Sequence, residues 1–351
     1  MGEFQQINYA ELLQRQKVPP RGLSEWVDRT REAKFMELAS KQTWSKQKLI
    51  LLSAVVLLAI LFPHIAPYTA LASEILIFAL FAMAFDLTLG YAGMLSFGHA
   101  AFFGLGAYST GIILKNVYPS VPLGLLCGVI ASSLAGLIIG FLSIRRRGIY
   151  FTMVTLAFAQ LFYFIAFKWT GLTGGDDGLQ GVPRPSLGPL NLQNQIVFYY
   201  FLLVSVMICA IILIRVVNSP FGKTLQAQRE NRNRAMSIGY DVDKYKLIAF
   251  VLSAFFSGLA GGFYTLLLNF VPLGSLHWTN SGEVVMMTIT GGMGTLFGPV
   301  LGAVGVILLR DIISNFTESW SFIMGLLFMA AVLGFRSGLI GILQKRLKLN
   351  I

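Results

Sequence analysis

Long apolar runs separated by short polar segments dominate the chain from Lys48 onward. A transmembrane helix needs about 20 apolar residues to cross a hydrocarbon core of roughly 30 Å, and runs of this length recur along the sequence. The short alternating segments of a transmembrane barrel do not occur. The pattern therefore predicts an all-α polytopic membrane protein with about ten transmembrane helices, some of them short or discontinuous.

Most of the predicted spans have ordinary length. They lie at about 48–65, 71–89, 95–114, 121–144, 149–169, 195–217, 247–268 and 320–337. The stretch 282–313 is too long for one helix and contains Gly291-Gly292-Met293-Gly294, so we divide it into a short piece, 282–291, and a helix, 297–313. A half-length piece is tolerated only where protein or a water-filled path covers its backbone.

Positive charge predicts the orientation. The chain is 55% hydrophobic and 12% charged, with a net charge of +11. Of its 27 Lys and Arg, 23 lie in four clusters, before residue 49 and at 145–147, 215–246 and 336–348. The positive-inside rule places such clusters in the cytoplasm, and each successive pair is separated by an even number of predicted spans, as this requires. We therefore expect cytoplasmic N- and C-termini, contact with a lipid bilayer and no nucleic-acid partner.

The polar stretch 218–246 separates two predicted spans and is too hydrophilic to lie in lipid. Residues 221–238 contain no proline and only one glycine, and Gly239 stands where a helix would end in a left-handed residue. Arg229 and Arg232, like Glu230 and Arg234, have the spacing of neighbours on one helix face. We predict a single helix, basic and partly self-paired, that forms a contact surface; a solvated loop is the alternative.

Catalytic motifs are absent from the sequence. It contains no phosphate-binding loop, dinucleotide fingerprint or His-Glu-x-x-His pair, so we predict no enzyme activity and assign no catalytic or metal-ligating residue. The ionisable groups in or near spans are Glu74, Asp86, His99 and Glu283. Charge within a membrane is costly and often functional, although the interface would tolerate carboxylates near the ends of spans.

A polar solute crossing apolar helices needs exposed backbone, hydroxyl or carboxylate partners. Glycine-broken segments provide such groups, and the candidate pathway residues are Ser96, His99, Glu283, Gly291, Gly292 and Gly294. On the outer side, the loop 170–194 contains Asp176-Asp177-Gly178, which suits a tight turn with positive φ at Gly178. The alternative is that Asp176 and Asp177 contact basic groups of a soluble partner.

Several motifs support a family assignment. The polar stretch contains Arg229-Glu230-Asn231, Arg234-Ala235 and Ser237-Ile238-Gly239-Tyr240-Asp241-Val242, and further motifs lie at 90–93, 96–100, 148–158, 173–179, 181–185, 245–254, 281–286 and 291–299. Together they cover about residues 75–340 and resemble the inner-membrane permease subunits of ABC importers, specifically the branched-chain amino acid family. Arg232 departs from the pattern, because the family commonly has an acidic residue there.

The resemblance implies that residues 229–239 form a coupling helix that docks in a groove of an ATP-binding subunit. The coupling residues would be Arg229, Glu230, Asn231, Arg232, Arg234, Ala235, Ser237, Gly239 and Tyr240. It further implies two ATP-binding subunits, a second homologous permease subunit and a periplasmic or extracellular solute-binding protein. This chain would bind no cofactor, ATP and magnesium would be used by the partners, and the location would be the bacterial inner (plasma) membrane.

On this basis the chain divides into an N-terminal cytoplasmic extension (1–47), a transmembrane permease domain (48–340) and a basic cytoplasmic tail (341–351). The expected function is inward transport of branched-chain amino acids by alternating access, driven by ATP. The alternatives are an importer of the same architecture for urea or short amides, an ATP-independent carrier or channel, and a membrane-embedded enzyme.

Overall fold

The computed structural model describes residues 62–63, 67–146 and 148–334, all within one compact unit, Ala59–Ile351. The predicted N-terminal extension, almost all of the predicted span 48–65 and the basic tail lie outside the described residues. So does a helix that the sequence predicts from Ser24 to about Ala39.

The described residues are helical, as predicted, and contain no β-strand, only isolated bridges such as Leu179 with Val271. The helices are α1 (Thr69–Asp86), α2 (His99–Ile112), α3 (Val121–Ser143), α4 (Ile149–Lys168), α5 (Thr170–Thr173), α6 (Gln195–Asn218), α7 (Pro220–Glu230), α8 (Arg232–Ser237), α9 (Val242–Leu268), α10 (Trp278–Gly291), α11 (Phe297–Ser314) and α12 (Trp320–Gly334). One π-helical turn extends α1 to Tyr91, and another extends α2 to Val117.

Six helices in the described part of the chain are long and apolar enough to cross a membrane: α1 with its π turn, α3, α4, α6, α9 and α11. All six coincide with predicted spans. The helix α9 begins at Val242, earlier than expected, because the Asp241 carboxylate caps its N-terminus by accepting from Lys244 N at 3.3 Å. The helices α2, α10 and α12 occupy the other predicted positions in this region but are shorter than these six helices. The total of ten spans stays a prediction.

The helix α1 is the centre of the bundle. In its most apolar 18-residue window 83% of the residues are buried, against 22% for α4. It packs against α6, α9, α10 and α11, whereas the outer helices expose large apolar side chains such as Leu134, Phe164 and Ile208. An apolar surface of this extent is typical of a protein that contacts lipid or another subunit.

The helices α3 and α9 pack closely because small residues line their contact. A Cβ atom added to Gly136 would lie 2.5 Å from the Ala254 Cβ, and the space beside Gly258 is filled by the Ser132 side chain. Small-residue contacts of this kind allow backbones to approach in membrane bundles. They fix α9, which follows the polar stretch, firmly within the bundle.

Candidate functional site

The polar stretch forms two short helices, α7 and α8, that meet at Asn231; we call residues 220–240, the two helices with the turn that ends α8, the α7–α8 segment. Pro220 occupies the first helical position of α7, where its missing N–H is no loss. Asn231 has extended backbone angles, and its side-chain oxygen accepts from Arg234 N at 3.0 Å. This N-cap begins a new helix at Arg232.

The prediction of one continuous helix is therefore wrong. Asn side chains compete with the backbone for hydrogen bonds and favour helix ends over helix interiors, and Asn231 interrupts the segment in this way. The break also lies between Glu230 and Arg234, which were expected to pair along one face. Arg232 forms an ion pair with Asp243 of α9, at 2.9 Å.

The predicted helix end at Gly239 is confirmed. Gly239 has φ of +96°, its N–H donates to the Met236 carbonyl at 2.9 Å, and the Tyr240 N–H donates to the Ala235 carbonyl at 3.2 Å. This is the Schellman arrangement, which requires a residue with positive φ after the helix. Directly after it, the hydrogen bond from Lys244 lowers the pKa of the Asp241 carboxyl.

The outer face of the α7–α8 segment is mixed in character. Met236, Ile238 and Tyr240 are 51%, 70% and 42% exposed, and the charged residues Glu230 and Arg234 are exposed on the same segment. Exposed apolar side chains between charged ones are typical of a protein contact surface. Ala235 is buried and holds α8 against the bundle.

The inner face of the segment contacts the first glycine turn, residues 90–98. The Arg229 guanidinium donates a hydrogen bond to the Gly90 carbonyl. Its Cγ would lie 3.0 Å from a Cβ atom on Gly93, and its Nη1 would lie 3.4 Å from a Cβ atom on Gly294. Arg229 therefore meets both the first glycine turn and the second glycine turn, residues 291–298.

Asp86 holds the second glycine turn. One oxygen of its carboxylate accepts from Gly294 N at 2.8 Å, and the other accepts from Leu296 N at 3.2 Å. The Asp86 side chain is fully buried, and Leu296 has φ of +51°, an uncommon value for a residue with a side chain. Sequence reasoning named Asp86 only as an ionisable group near a span end and missed this role.

The predicted pathway residues fall in different environments. Ser96 is buried, and its Oγ accepts from Gly98 N at 3.1 Å. His99 is buried among aromatic rings, and its Nε2 lies 2.8 Å from the Ser253 Oγ. Gly291, Gly292 and Gly294 belong to the second glycine turn. The pathway role of these residues stays a prediction.

Glu283 belongs to an ion cluster that joins α1, α10 and α11. Arg310 lies 3.5 Å from the Glu283 carboxylate and also pairs with Glu74. The side chains of Arg310 and Glu283 are each 22% exposed, and that of Glu74 is 19% exposed. Sequence reasoning did not predict this cluster, because the spacing of Arg310 from Glu74 and Glu283 along the chain gives no signal of contact.

The loop after α4 carries the predicted docking residues. Asp176 and Asp177 are exposed on a short 3-10 helix, and Gly178 has φ of +72°, as the turn prediction required. Paired backbone hydrogen bonds of 3.0 Å between Leu179 and Val271 fix the loop to the segment that follows α9. The exposed carboxylates of Asp176 and Asp177 therefore lie on a loop that these hydrogen bonds hold in place.

These features define the class as a multi-pass helical membrane protein with a polar helical segment anchored to its core. The chain belongs to the family described as branched-chain amino acid transport system / permease component, whose model matches residues 68–332. It is thus a permease subunit of the ABC transporter type.

Individual proteins with similar sequences are also named as permeases of transport or import systems. The high-affinity branched-chain amino acid transport system permease protein LivM of Salmonella typhimurium is 27% identical over 90% of this chain and 80% of its own length. A probable LivM of Methanocaldococcus jannaschii is 22% identical over 70% and 81%. The autoinducer 2 import system permease protein LsrC of Enterobacter sp. is 29% identical over 57% and 58%. No solved structure matches the chain.

Proposed function

We propose that this chain is the membrane-spanning permease subunit of an ATP-driven importer that carries branched-chain amino acids inward by alternating access. It works with two ATP-binding subunits, which use ATP and magnesium, with a second homologous permease and with a solute-binding protein. The α7–α8 segment and the two glycine turns lie on the cytoplasmic side of a bacterial inner membrane, and residues 170–194 lie outside.

The observation that carries the proposal is the contact of Arg229 with both glycine turns. The outer face of the α7–α8 segment offers Met236, Ile238 and Tyr240 to a groove of the ATP-binding subunit. Its inner face reaches the Gly90 carbonyl through Arg229. A displacement of the segment is therefore transmitted to the ends of α1, α10 and α11 by direct contact, and no other element is needed between them.

The Arg232–Asp243 ion pair gives a physical reason why this chain has Arg232 where the family commonly has an acidic residue. An acidic residue at this position would face Asp243 with like charge, whereas Arg232 pairs with it at 2.9 Å and joins α8 to α9. Asp243 is 52% exposed, so the pair is screened by solvent and contributes little to stability. Its proposed role is to orient α8 for docking.

The coupling proposal is tested with a triple variant, Arg229→Ala with Glu230→Ala and Arg232→Ala. We expect loss of assembly with the ATP-binding subunits, or loss of ATP hydrolysis stimulated by the loaded binding protein. Lys223→Ala is the matched control, because Lys223 is an exposed cation on α7. Full assembly and full stimulated hydrolysis in the triple variant would refute the proposal.

The identity of the transported solute is proposed from the names of the related proteins and from how much of this chain each one matches. The two LivM proteins are named for branched-chain amino acids and align with most of this chain, whereas LsrC, named for autoinducer 2, aligns with 57% of it. Uptake of labelled leucine, isoleucine and valine by the reconstituted complex is the test, with urea, acetamide and autoinducer 2 as competitors. Transport of a competitor without leucine uptake would reassign the solute.

The path is proposed to run past the Glu74–Arg310–Glu283 cluster and the second glycine turn. A zwitterionic amino acid has a carboxylate that suits Arg310 and an ammonium group that suits the two glutamates, and all three side chains are partly exposed. The exposed Asp176 and Asp177 are proposed to meet the binding protein. Concentrative uptake by this chain alone in liposomes, without ATP, would instead favour a secondary carrier.

A further inference from the structure

A cavity of about 560 Å³ lies between the α7–α8 segment, the first glycine turn and the elbow that joins α3 to α4. Its lining includes three cationic side chains, Arg146, Arg232 and Lys246, and no acidic side chain from the described residues. The remainder is mostly apolar. The function proposed above uses neither the cavity nor Arg146.

Arg232 lines this cavity and also has an unused hydrogen-bond donor. Its Nη2 pairs with Asp243, but its Nε is buried and has no hydrogen-bond partner among the described residues. Buried donors are nearly always satisfied, so an unpaired one calls for an explanation. An anionic oxygen bound in the cavity would provide the acceptor.

The cavity also reaches the apolar outer surface. Ile149 and Met153 both line it, and they are 66% and 55% exposed on α4, the least buried of the candidate membrane spans. Because these residues are four positions apart on a helix, they form one stripe along its face. The cavity lies where α3 ends and α4 begins. Both helices are candidate membrane spans, and the junction of two consecutive spans is expected at the membrane–water interface.

We propose that the cavity binds the phosphate headgroup of an anionic phospholipid. Arg146, Arg232 and Lys246 surround the phosphodiester, and an acyl chain follows Ile149 and Met153 along α4. Basic pockets between membrane helices on the cytoplasmic side are suited to such headgroups. The apolar stripe distinguishes this site from one for free phosphate, which has no apolar part.

The site connects lipid composition with the α7–α8 segment. Arg232 belongs to α8, Lys246 belongs to α9, and Arg146 belongs to the elbow. A headgroup that binds all three side chains holds α8 against the elbow. The inference does not depend on the identity of the solute, and its failure would leave the proposed transport function unaffected.

The test is native mass spectrometry of the full chain in detergent, titrated with phosphatidylglycerol, phosphatidylcholine or inorganic phosphate. We expect phosphatidylglycerol to bind more tightly than phosphatidylcholine, and Arg146→Gln and Lys246→Gln each to weaken it about five-fold. Arg145→Gln is the matched control: it removes an adjacent cation that stacks on Phe141 and does not line the cavity. Unchanged thermal melting establishes that each variant is folded.

Three outcomes would overturn the inference. The first is equal binding of the two lipids with no effect of either cavity variant. The second is inorganic phosphate that binds as tightly as phosphatidylglycerol and displaces it, which would identify a site for free anions. The third is loss of the bound lipid when the ATP-binding subunits assemble, which would assign the cavity to an acidic segment of the partner.

Discussion

The guanidinium of Arg229 donates a hydrogen bond to the backbone carbonyl of Gly90, 139 residues earlier in the chain. This bond joins the last turn of α7 to the π-helical turn at the end of α1, the most buried of the candidate membrane spans. Arg229 thus joins the polar segment directly to the helix at the centre of the bundle.

Replacement of Arg229 by Gln is expected to uncouple ATP hydrolysis from uptake. Gln is too short to keep the bond to Gly90 and has no charge, whereas the exposed face of the segment remains intact. We expect normal assembly and a fall in uptake per ATP of at least about five-fold, the lower end of typical coupling free energies. Both rates are measured on the reconstituted complex.

Arg234→Gln is the control for this prediction. Arg234 is exposed on α8, and its side chain makes no hydrogen bond or ion pair in the described part of the chain. If Arg234→Gln lowers assembly with the ATP-binding subunits but keeps the ratio of uptake to ATP hydrolysis, then binding of those subunits and coupling of hydrolysis to uptake depend on different residues. An unchanged ratio in Arg229→Gln would contradict the prediction.

Replacement of Gly90 by Ala is expected to destabilise the junction. A Cβ atom there would lie 2.5 Å from Gly294 N and closer still to the Asp86 carboxylate. Such overpacking costs about 1–3 kcal/mol, so the midpoint of thermal melting in detergent should fall. Gly305→Ala is the control, because a Cβ atom on Gly305 meets nothing within 4 Å and alanine favours a helix. Equal melting midpoints of the two variants would contradict the prediction, because the junction would then accommodate the added Cβ atom without loss of stability.

Much of the bundle is predictable from hydrophobic pattern alone. The helices α3, α4 and α6 begin and end within one residue of their predicted limits, because an apolar run bounded by polar residues has few other ways to satisfy its backbone in lipid. The helix end at Gly239 was equally predictable, since a local backbone requirement appears directly in the sequence.

The junction of Arg229, Gly90 and Asp86 was not predictable in the same way. Its members are far apart in the chain, and they meet only because α1, α7 and the second glycine turn pack at one end of the bundle. The break at Asn231 was missed for a different reason. Helical spacing of charges outweighed the tendency of Asn to cap a helix, although that tendency is a local signal.

Replacement of Asp86 by Asn is expected to release the second glycine turn. The carboxylate accepts from both Gly294 N and Leu296 N, whereas an amide has one oxygen and would turn an N–H₂ group toward the second donor. A buried donor left unpaired costs about 1–3 kcal/mol. We expect a lower melting midpoint and reduced uptake in Asp86→Asn. Asp177→Asn, at an exposed position, should melt like the unmodified protein, and equal melting of both variants would contradict the prediction.

Replacement of Glu283 by Gln tests the proposed path. Arg310 keeps its pair with Glu74 in this variant, so the helices stay joined and folding should be retained. Loss of one carboxylate removes a charged partner for the ammonium group of the solute, and loss of a charge-assisted hydrogen bond predicts a KM for leucine about ten-fold higher. Glu318→Gln, at an exposed carboxylate just before α12, is the control and should leave KM unchanged. An unchanged KM in Glu283→Gln, with normal assembly and uptake, would mean that the solute does not contact this cluster.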